Sequence, residues 1–342
     1  MTGDPRRQPR RQHFVPRLLL KGFAHRVKGE QYYVFEFPSG SEPREVNITN
    51  VGVARDFYGH PEESKVEQEL SRKEAKYASL IHRLREGRTD PEQKPLIDDF
   101  VTHLIVRTKN IRDGFIEMGV GILDSLERAL ADQQERGNFE RRMFEELLEH
   151  PDLKPLLALV PKAQRRMFLR QVLANAGLEL VSACQKLLQL ARPYMNVEEA
   201  AKSAQLRALR MEDALAERRE KLKPLVWSIV NASEGAFVLG DLGPVARFAE
   251  SSELEPPVKF GTSLEILFLP LSGQRILVGQ LEGILQSVDP DTVNIASVEL
   301  SRHLFVSSEC TQRELSYHKR LGRRAAFLNP AEMNEGLRGV FD

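Results

Sequence analysis

Four side chains combine chemistry-bearing types with positions that an apolar core does not ask for: His13, Glu67, Glu74 and Asp241. His13 stands between an arginine-rich segment and Pro16. An imidazole that titrates near neutrality suits proton transfer, metal ligation or a phosphate contact, and a histidine at a helix start serves equally to cap backbone groups. Glu67 and Glu74 are seven residues apart, which at 3.6 residues per turn puts them on one helical stripe. That stripe borders the apolar face of Val66, Leu70 and Tyr77, so the carboxylates reach toward a cleft, where they would bind a divalent cation or hold arginines of another element. Asp241 follows the apolar run Phe237-Val238-Leu239 across Gly240, with Gly243-Pro244 after it, in a glycine-permitted turn. Such a carboxylate is placed for catalysis or metal binding, or for bonding its own backbone in an Asx-turn. Glu67 and Asp241 are the candidate ligands of a divalent cation. Arg17 and Arg107 are the candidate phosphate contacts. Arg107, beside Leu104 and Ile111, needs a carboxylate or phosphate because an unpaired buried charge is costly, and Glu67 or Glu74 is the simplest partner. Tyr58, Arg302 and His303 are secondary candidates.

Composition narrows the classes. Lysine plus arginine and aspartate plus glutamate both number 49, so the formal net charge is +0. Such balance removes any global case for a nucleic-acid or membrane binder. The charge is nevertheless uneven, with eight basic and two acidic residues from Met1 to Glu30, and five basic and one acidic from Arg313 to Arg324. Two cysteines, Cys184 and Cys310, exclude a disulfide framework or a cysteine-rich metal site. No apolar run approaches the roughly 20 residues that span a bilayer, so a cytoplasmic protein with no membrane partner is expected. The sequence holds no P-loop, dinucleotide fingerprint, HExxH, CxxC or G-x-S-x-G pattern.

The elements that must position these residues follow from periodicity. Residues 1–12 are polar and predict a flexible basic arm. Pro16 suits the first turn of a short helix that Gly22 would cap. Gln31 to Phe37 and Arg44 to Ile48, around Pro38-Ser39-Gly40-Ser41, predict a β-hairpin. From about residue 64 to 227 the spacing is helical. One helix stops near Gly87. A second starts at Asp90-Pro91 and carries Ile97, Phe100, Val101, Leu104, Ile105, Ile111 and Phe115 on one face. Others are expected over 138–150, 161–191 and 197–223, those from Pro161 to Lys223 charged outside and apolar inside, and Trp227 should be core. Residues 236–239, 264–269, 275–278 and 304–308 read as strands and 290–303 as a helix. The fold class is α+β, with a helix-rich centre flanked by an N-terminal hairpin and a small C-terminal sheet that pack together. It forms one domain over 13–312, with its β-containing end at about 235–308, followed by a basic tail over 313–342.

The order of these pieces resembles a family of bacterial and fungal proteins, domain of unknown function 4238. His13-Phe14-Val15-Pro16 with Gly22-Phe23 resembles its opening HYVP…L-x-x-F, and Asp56-Phe57-Tyr58 its x-F-Y step. Glu67 to Glu74 matches its E-x-x-L-x-x-x-E helix. Phe237 through Val245 is similar to its F-I-T-S-D-x-P-V, with Gly240 for the serine and two residues rather than one between Asp241 and Pro244. Phe268 to Ser272 is similar to its f-P-L-S strand, and Val293-Asn294 through Phe305-Val306-Ser307 to its closing segment. The likeness covers residues 13 to 308. It implies a fold unit and no established reaction.

On these residues the expected activity is metal-assisted or acid–base hydrolysis of a phosphate-containing substrate, a nucleic acid or nucleotide. His13, Glu67, Glu74 and Asp241 would converge between the N-terminal segment, the first long helix and the C-terminal strands. The alternative is a non-enzymatic module whose helical centre meets a protein, or whose arginine arm meets nucleic acid.

Overall fold

A computed structural model describes residues 11–58, 65–131, 133–175, 180–210, 212–257, 263–281 and 288–325. By contact, the chain divides into two units, one of residues up to Gly114 together with those from Lys202, the other of Phe115–Ala201. The expected arm lies outside the described residues as far as residue 10, and Arg11 already belongs to the first strand.

Strand β1 (Arg11–His13) leads through Pro16 into α1 (Arg17–Leu20) and a 3₁₀ turn, Lys21–Phe23. Gly22 sits inside that turn rather than capping it. A Cβ there would lie 2.0 Å from the Leu271 carbonyl oxygen, so glycine serves close approach to the C-terminal sheet. Strands β2 (Arg26–Lys28), β3 (Gln31–Pro38) and β4 (Arg44–Asn47) form an antiparallel meander, and β5 (Val53–Arg55) returns to pair with β1.

Helix α2 (Lys65–Arg85) ends where Gly87 takes φ +85°, which a side chain rarely adopts. The second long helix does not run through as its apolar spacing predicts. It is split into α3 (Lys94–Arg107) and α4 (Lys109–Ala131). Thr108 is extended, with ψ 150°, and its Oγ1 accepts from the Ile111 amide, the geometry of an N-cap. The Gln205 side-chain amide donates to the carbonyls of Val106 and Thr108, both at 2.9 Å, which satisfies groups that the break releases.

Helices α5 (Gln133–Glu149), α6 (Lys154–Ala158), α7 (Arg165–Asn175) and α8 (Leu180–Ala191) make up most of the second unit. Its core packs Phe144, Leu157 and Leu169. Helices α9 (Val197–Arg210) and α10 (Glu212–Leu222) follow. Among the described residues no helix is long and apolar enough to cross a membrane.

Strand β6 (Val226–Asn231) carries Trp227, which is core as expected, and its indole N–H donates to Asp98 at 2.7 Å. Then come β7 (Leu239–Gly240), β8 (Val245–Phe248), β9 (Leu264–Ser272), β10 (Arg275–Gln280), α11 (Pro290–Leu300), β11 (Leu304–Ser307) and α12 (Gln312–His318). Helix α12 occupies the start of the expected tail. One antiparallel sheet has the order β6-β10-β9-β8, and another runs β2-β3-β11-β7 with β4 also on β3. The N-terminal hairpin therefore shares a sheet with β7 and β11, while β6, β8, β9 and β10 form a sheet of their own, and the fold is α+β.

Helix α11 is buried between two apolar clusters. Val293, Ala296 and Leu300 join Phe237, Val245, Ile266 and Ile276, whereas Val298 joins Phe37, Val238, Phe305 and Tyr317. Its polar residues bind the backbone of the segment ahead of Asp241. Asn294 accepts from the Val238 amide at 2.9 Å and donates to the Ala236 carbonyl at 2.8 Å, and Ser297 Oγ accepts from the Gly240 amide at 3.2 Å. This approach leaves no room at Gly240, where a Cβ would meet Ser301 Oγ at 2.1 Å and the Ser297 carbonyl oxygen at 2.8 Å. Gly240→Ala should therefore lower folding stability by about 1–3 kcal/mol, read from the urea midpoint. An unchanged midpoint would contradict this packing.

Candidate functional site

Arg107 is the hub of the N-terminal candidates. Its guanidinium is buried and donates to the His13 carbonyl oxygen from Nη2 at 2.7 Å and from Nε at 3.2 Å. Nε also donates to Tyr58 Oη at 2.8 Å, and Nη1 is ion-paired with Glu74. Burial opposes the charge, but Tyr58 and Glu74 outweigh it, and the net shift of the Arg107 pKa is upward. Burial pushes the Tyr58 hydroxyl up to about 12. The Tyr58 amide in turn donates to the Gln12 side chain. The structure thus joins His13, Tyr58, Glu74 and Arg107, but through the main chain of His13. The hollow beside Glu74 and Arg107, lined also by Lys73, Tyr77 and His103, measures about 10 Å³, scarcely room for one water.

The His13 ring turns to the Ile48 carbonyl oxygen, with Nε2 donating at 3.4 Å. Burial lowers its pKa to about 4, and the charges of Arg17 and Arg107 act in the same direction. His13 is therefore neutral at pH 7. Arg17 is exposed at the first residue of α1. Glu67 lies on α2, outside the described side chains.

Asp241 is fully buried. Oδ1 accepts from Asn110 Nδ2 and from the Arg302 amide, both at 3.1 Å, and Oδ2 accepts from the His303 amide at 3.0 Å. Burial raises its pKa, which His303 and these N–H groups partly offset. The carboxylate holds the distant turn between α11 and β11, not its own backbone. Among the described residues no group of three or more His, Cys, Asp and Glu side chains is arranged to hold a metal ion.

What Asp241 positions is His303. The His303 side chain, about one third exposed, meets Asp113 with Nε2 to Oδ2 at 2.6 Å. Lys109 Nζ lies 3.2 Å from the same nitrogen and 4.0 Å from Asp113. Burial alone would raise the Asp113 pKa, but the His303 hydrogen bond and the charges of Lys109 and Arg302 turn the shift downward, so the carboxyl is ionised at neutral pH. The short contact to an ionised carboxylate places a proton on His303 Nε2.

His303 and Lys109 line a cleft of about 370 Å³ with Arg11, Phe14, Glu36 and Arg44. Cations dominate its walls. Arg44 is paired with the buried Glu36 at 2.8 Å, and Arg11 donates to Asn50 at 3.0 Å. The Phe14 ring stands 6.5 Å from that of His303, so the N-terminal motif abuts the dyad through its phenylalanine. Asp113 and Lys109 escape a reading of the sequence because Asp113 and His303 are 190 residues apart and no local pattern joins them. Their one local mark is the four-residue spacing of Lys109 and Asp113, ordinary on any helix.

A family model described as a protein of unknown function (DUF4238) matches residues 11–293. The matched span contains Lys109, Asp113 and Asp241 and stops before His303. Neither a curated protein nor a solved structure matches the chain.

The neutral His13 makes a pH-dependent prediction. Its folded pKa is about 4 and its unfolded value 6.5, so between those values the unfolded chain binds more protons and stability rises with pH. Below about pH 4 both forms are protonated and the loss is complete. His13→Gln should remove this part of the slope between pH 4 and 6.5, at most about 3 kcal/mol. Urea midpoints of both proteins across that range measure it, and parallel profiles would refute the assignment.

Proposed function

We propose that this chain, which belongs to the protein family of unknown function DUF4238, hydrolyses a phosphate ester by acid–base chemistry at His303. The observation that carries the reading is the 2.6 Å contact between His303 and the ionised Asp113 at the wall of a cationic cleft. His303 Nδ1 takes a proton from a water as its oxygen attacks phosphorus. The bond from phosphorus to the leaving oxygen breaks, and the imidazolium returns the proton to that oxygen. Asp113 fixes the ring tautomer and stabilises the imidazolium while it lasts. Arg11 and Lys109 face the phosphate oxygens. Asp241 is a positioning residue, acting through the backbone amide of His303. A volume of about 370 Å³ fits a nucleotide-sized group, so the substrate class is a nucleotide or the end of a nucleic-acid strand. In this reading Arg107, Glu74 and the His13 carbonyl hold the N-terminal segment that forms the opposite wall.

The test is hydrolysis of p-nitrophenyl phosphate, bis-p-nitrophenyl phosphate and a nucleotide panel, with EDTA and with Mg²⁺. His303→Gln should lower kcat by about 10²–10⁴-fold, with a smaller loss in Asp113→Asn. Turnover unaffected by His303→Gln would sink the proposal. Nucleotide binding without turnover would leave an anion-binding module, the non-enzymatic alternative.

A further inference from the structure

One carboxylate lines the cationic cleft without a part in the proposed hydrolysis. Glu36 stands on β3, opposite Arg44 of β4, and both side chains border the cleft. The Glu36 side chain is only 5% exposed, that of Arg44 63%. Arg44 Nε donates to Glu36 Oε2 at 2.9 Å, and Nη2 lies 2.8 Å from the same oxygen. Among the described residues, Glu36 Oε1 and Arg44 Nη1 have no partner. The pair therefore offers an acceptor and a donor side by side. A carboxylate has no proton to give and repels a phosphate, so Glu36 does not serve the end of the cleft where Arg11 and Lys109 face the phosphate oxygens. The strand sets the distance between the two ends. Glu36 pairs with Val306 of β11, and three residues on, the Ser39 amide donates to the His303 carbonyl at 2.7 Å. At about 3.4 Å per residue, the two positions are about 10 Å apart along the strand. What Glu36 touches is thus the part of the substrate beyond its phosphate.

We infer that Glu36, with Arg44, binds the vicinal hydroxyls of a ribose, so that the cleft selects ribonucleotides over deoxyribonucleotides. The inference deepens the proposed function and rests on its reading of the cleft as a nucleotide site. A hydroxyl both donates and accepts. One hydroxyl of the diol donates to Glu36 Oε1 while its neighbour accepts from Arg44 Nη1, and both bonds are charge-assisted. A deoxyribose lacks one of these hydroxyls and leaves a charged group facing a gap. Glu36 is then a specificity-determining residue, remote from the proton transfers at His303.

The experiment is calorimetric titration of the full chain with adenosine 5′-monophosphate and its 2′-deoxy and 2′,3′-dideoxy analogues, beside hydrolysis of p-nitrophenyl phosphate. Affinity should fall by about tenfold for the 2′-deoxy compound and further for the dideoxy one. Glu36→Gln should bring the ratio of ribose to deoxyribose affinities to within about twofold, with the melting midpoint showing that the fold is kept. The comparison of sugars in the unaltered protein stands even if that variant does not fold. Equal affinity for the three sugars, with His303-dependent turnover of p-nitrophenyl phosphate, overturns the inference and leaves the hydrolytic reading intact. Ribose preference without turnover keeps the inference and removes the hydrolytic reading. A ribose preference that Glu36→Gln preserves overturns it, as does affinity that follows the base among adenosine, cytidine and uridine monophosphates and ignores the sugar.

Discussion

A carboxylate removed from water must find hydrogen-bond donors in the protein, and at Asp241 that demand organises the first unit around His303. Its three donors come from two places remote in sequence, the first turn of α4 through Asn110 and the turn after α11 through the amides of Arg302 and His303. Leaving any of these groups unpaired would cost about 1–3 kcal/mol. The pairing therefore ties the two segments that carry Asp113 and His303. The segment bearing Asp241 is fixed in turn by Asn294 and Ser297 on α11, the helix shared by both apolar clusters. Core packing thus reaches His303 through a short series of hydrogen bonds.

Arg107 answers the same constraint with the opposite sign. A buried guanidinium is tolerable only where acceptors surround it, and here they are the His13 carbonyl, Tyr58 and Glu74. Those acceptors come from the opening motif, the segment before α2 and α2 itself. The motif residues at this end therefore have a full structural occupation, and the space left beside them scarcely admits a water. The cleft lies on the other side of the same N-terminal segment, where Arg11 and Phe14 face His303.

Much of the architecture was legible in the sequence because its signals are local. Alternation and turn residues mark β3 and β4, and β9 and β10. Helical spacing marks α2, and the pairing of Arg107 with Glu74 follows from the cost of an unpaired buried charge. What was not legible depends on tertiary contact. Strand β6 follows a long helical run, and its place is set by Trp227 reaching Asp98 and by Gly279 clearing space for the indole ring. His303 stood only among the secondary candidates, since nothing near it in sequence shows that Asp113 will be its partner. The reading of Asp241 as a turn-former named the right kind of group, but its hydrogen bonds cross some sixty residues rather than two.

The break at Thr108 shows how a single backbone choice divides these tasks. Apolar spacing from Ile97 to Phe115 asks for one helix, and a continuous one would keep Arg107 and Lys109 on a common axis. With Thr108 extended, the chain ends one helix on the residue that anchors the N-terminal segment and starts the next on the residue beside His303. Thr108 can do this because its hydroxyl caps the new helix, and Gln205 covers the carbonyls on either side. A polar side chain ninety-odd residues away thus sustains what the local sequence alone would not select. The anchor at Arg107 and the dyad partner Asp113 lie within one short stretch, so any shift of that stretch would move both walls of the cleft together.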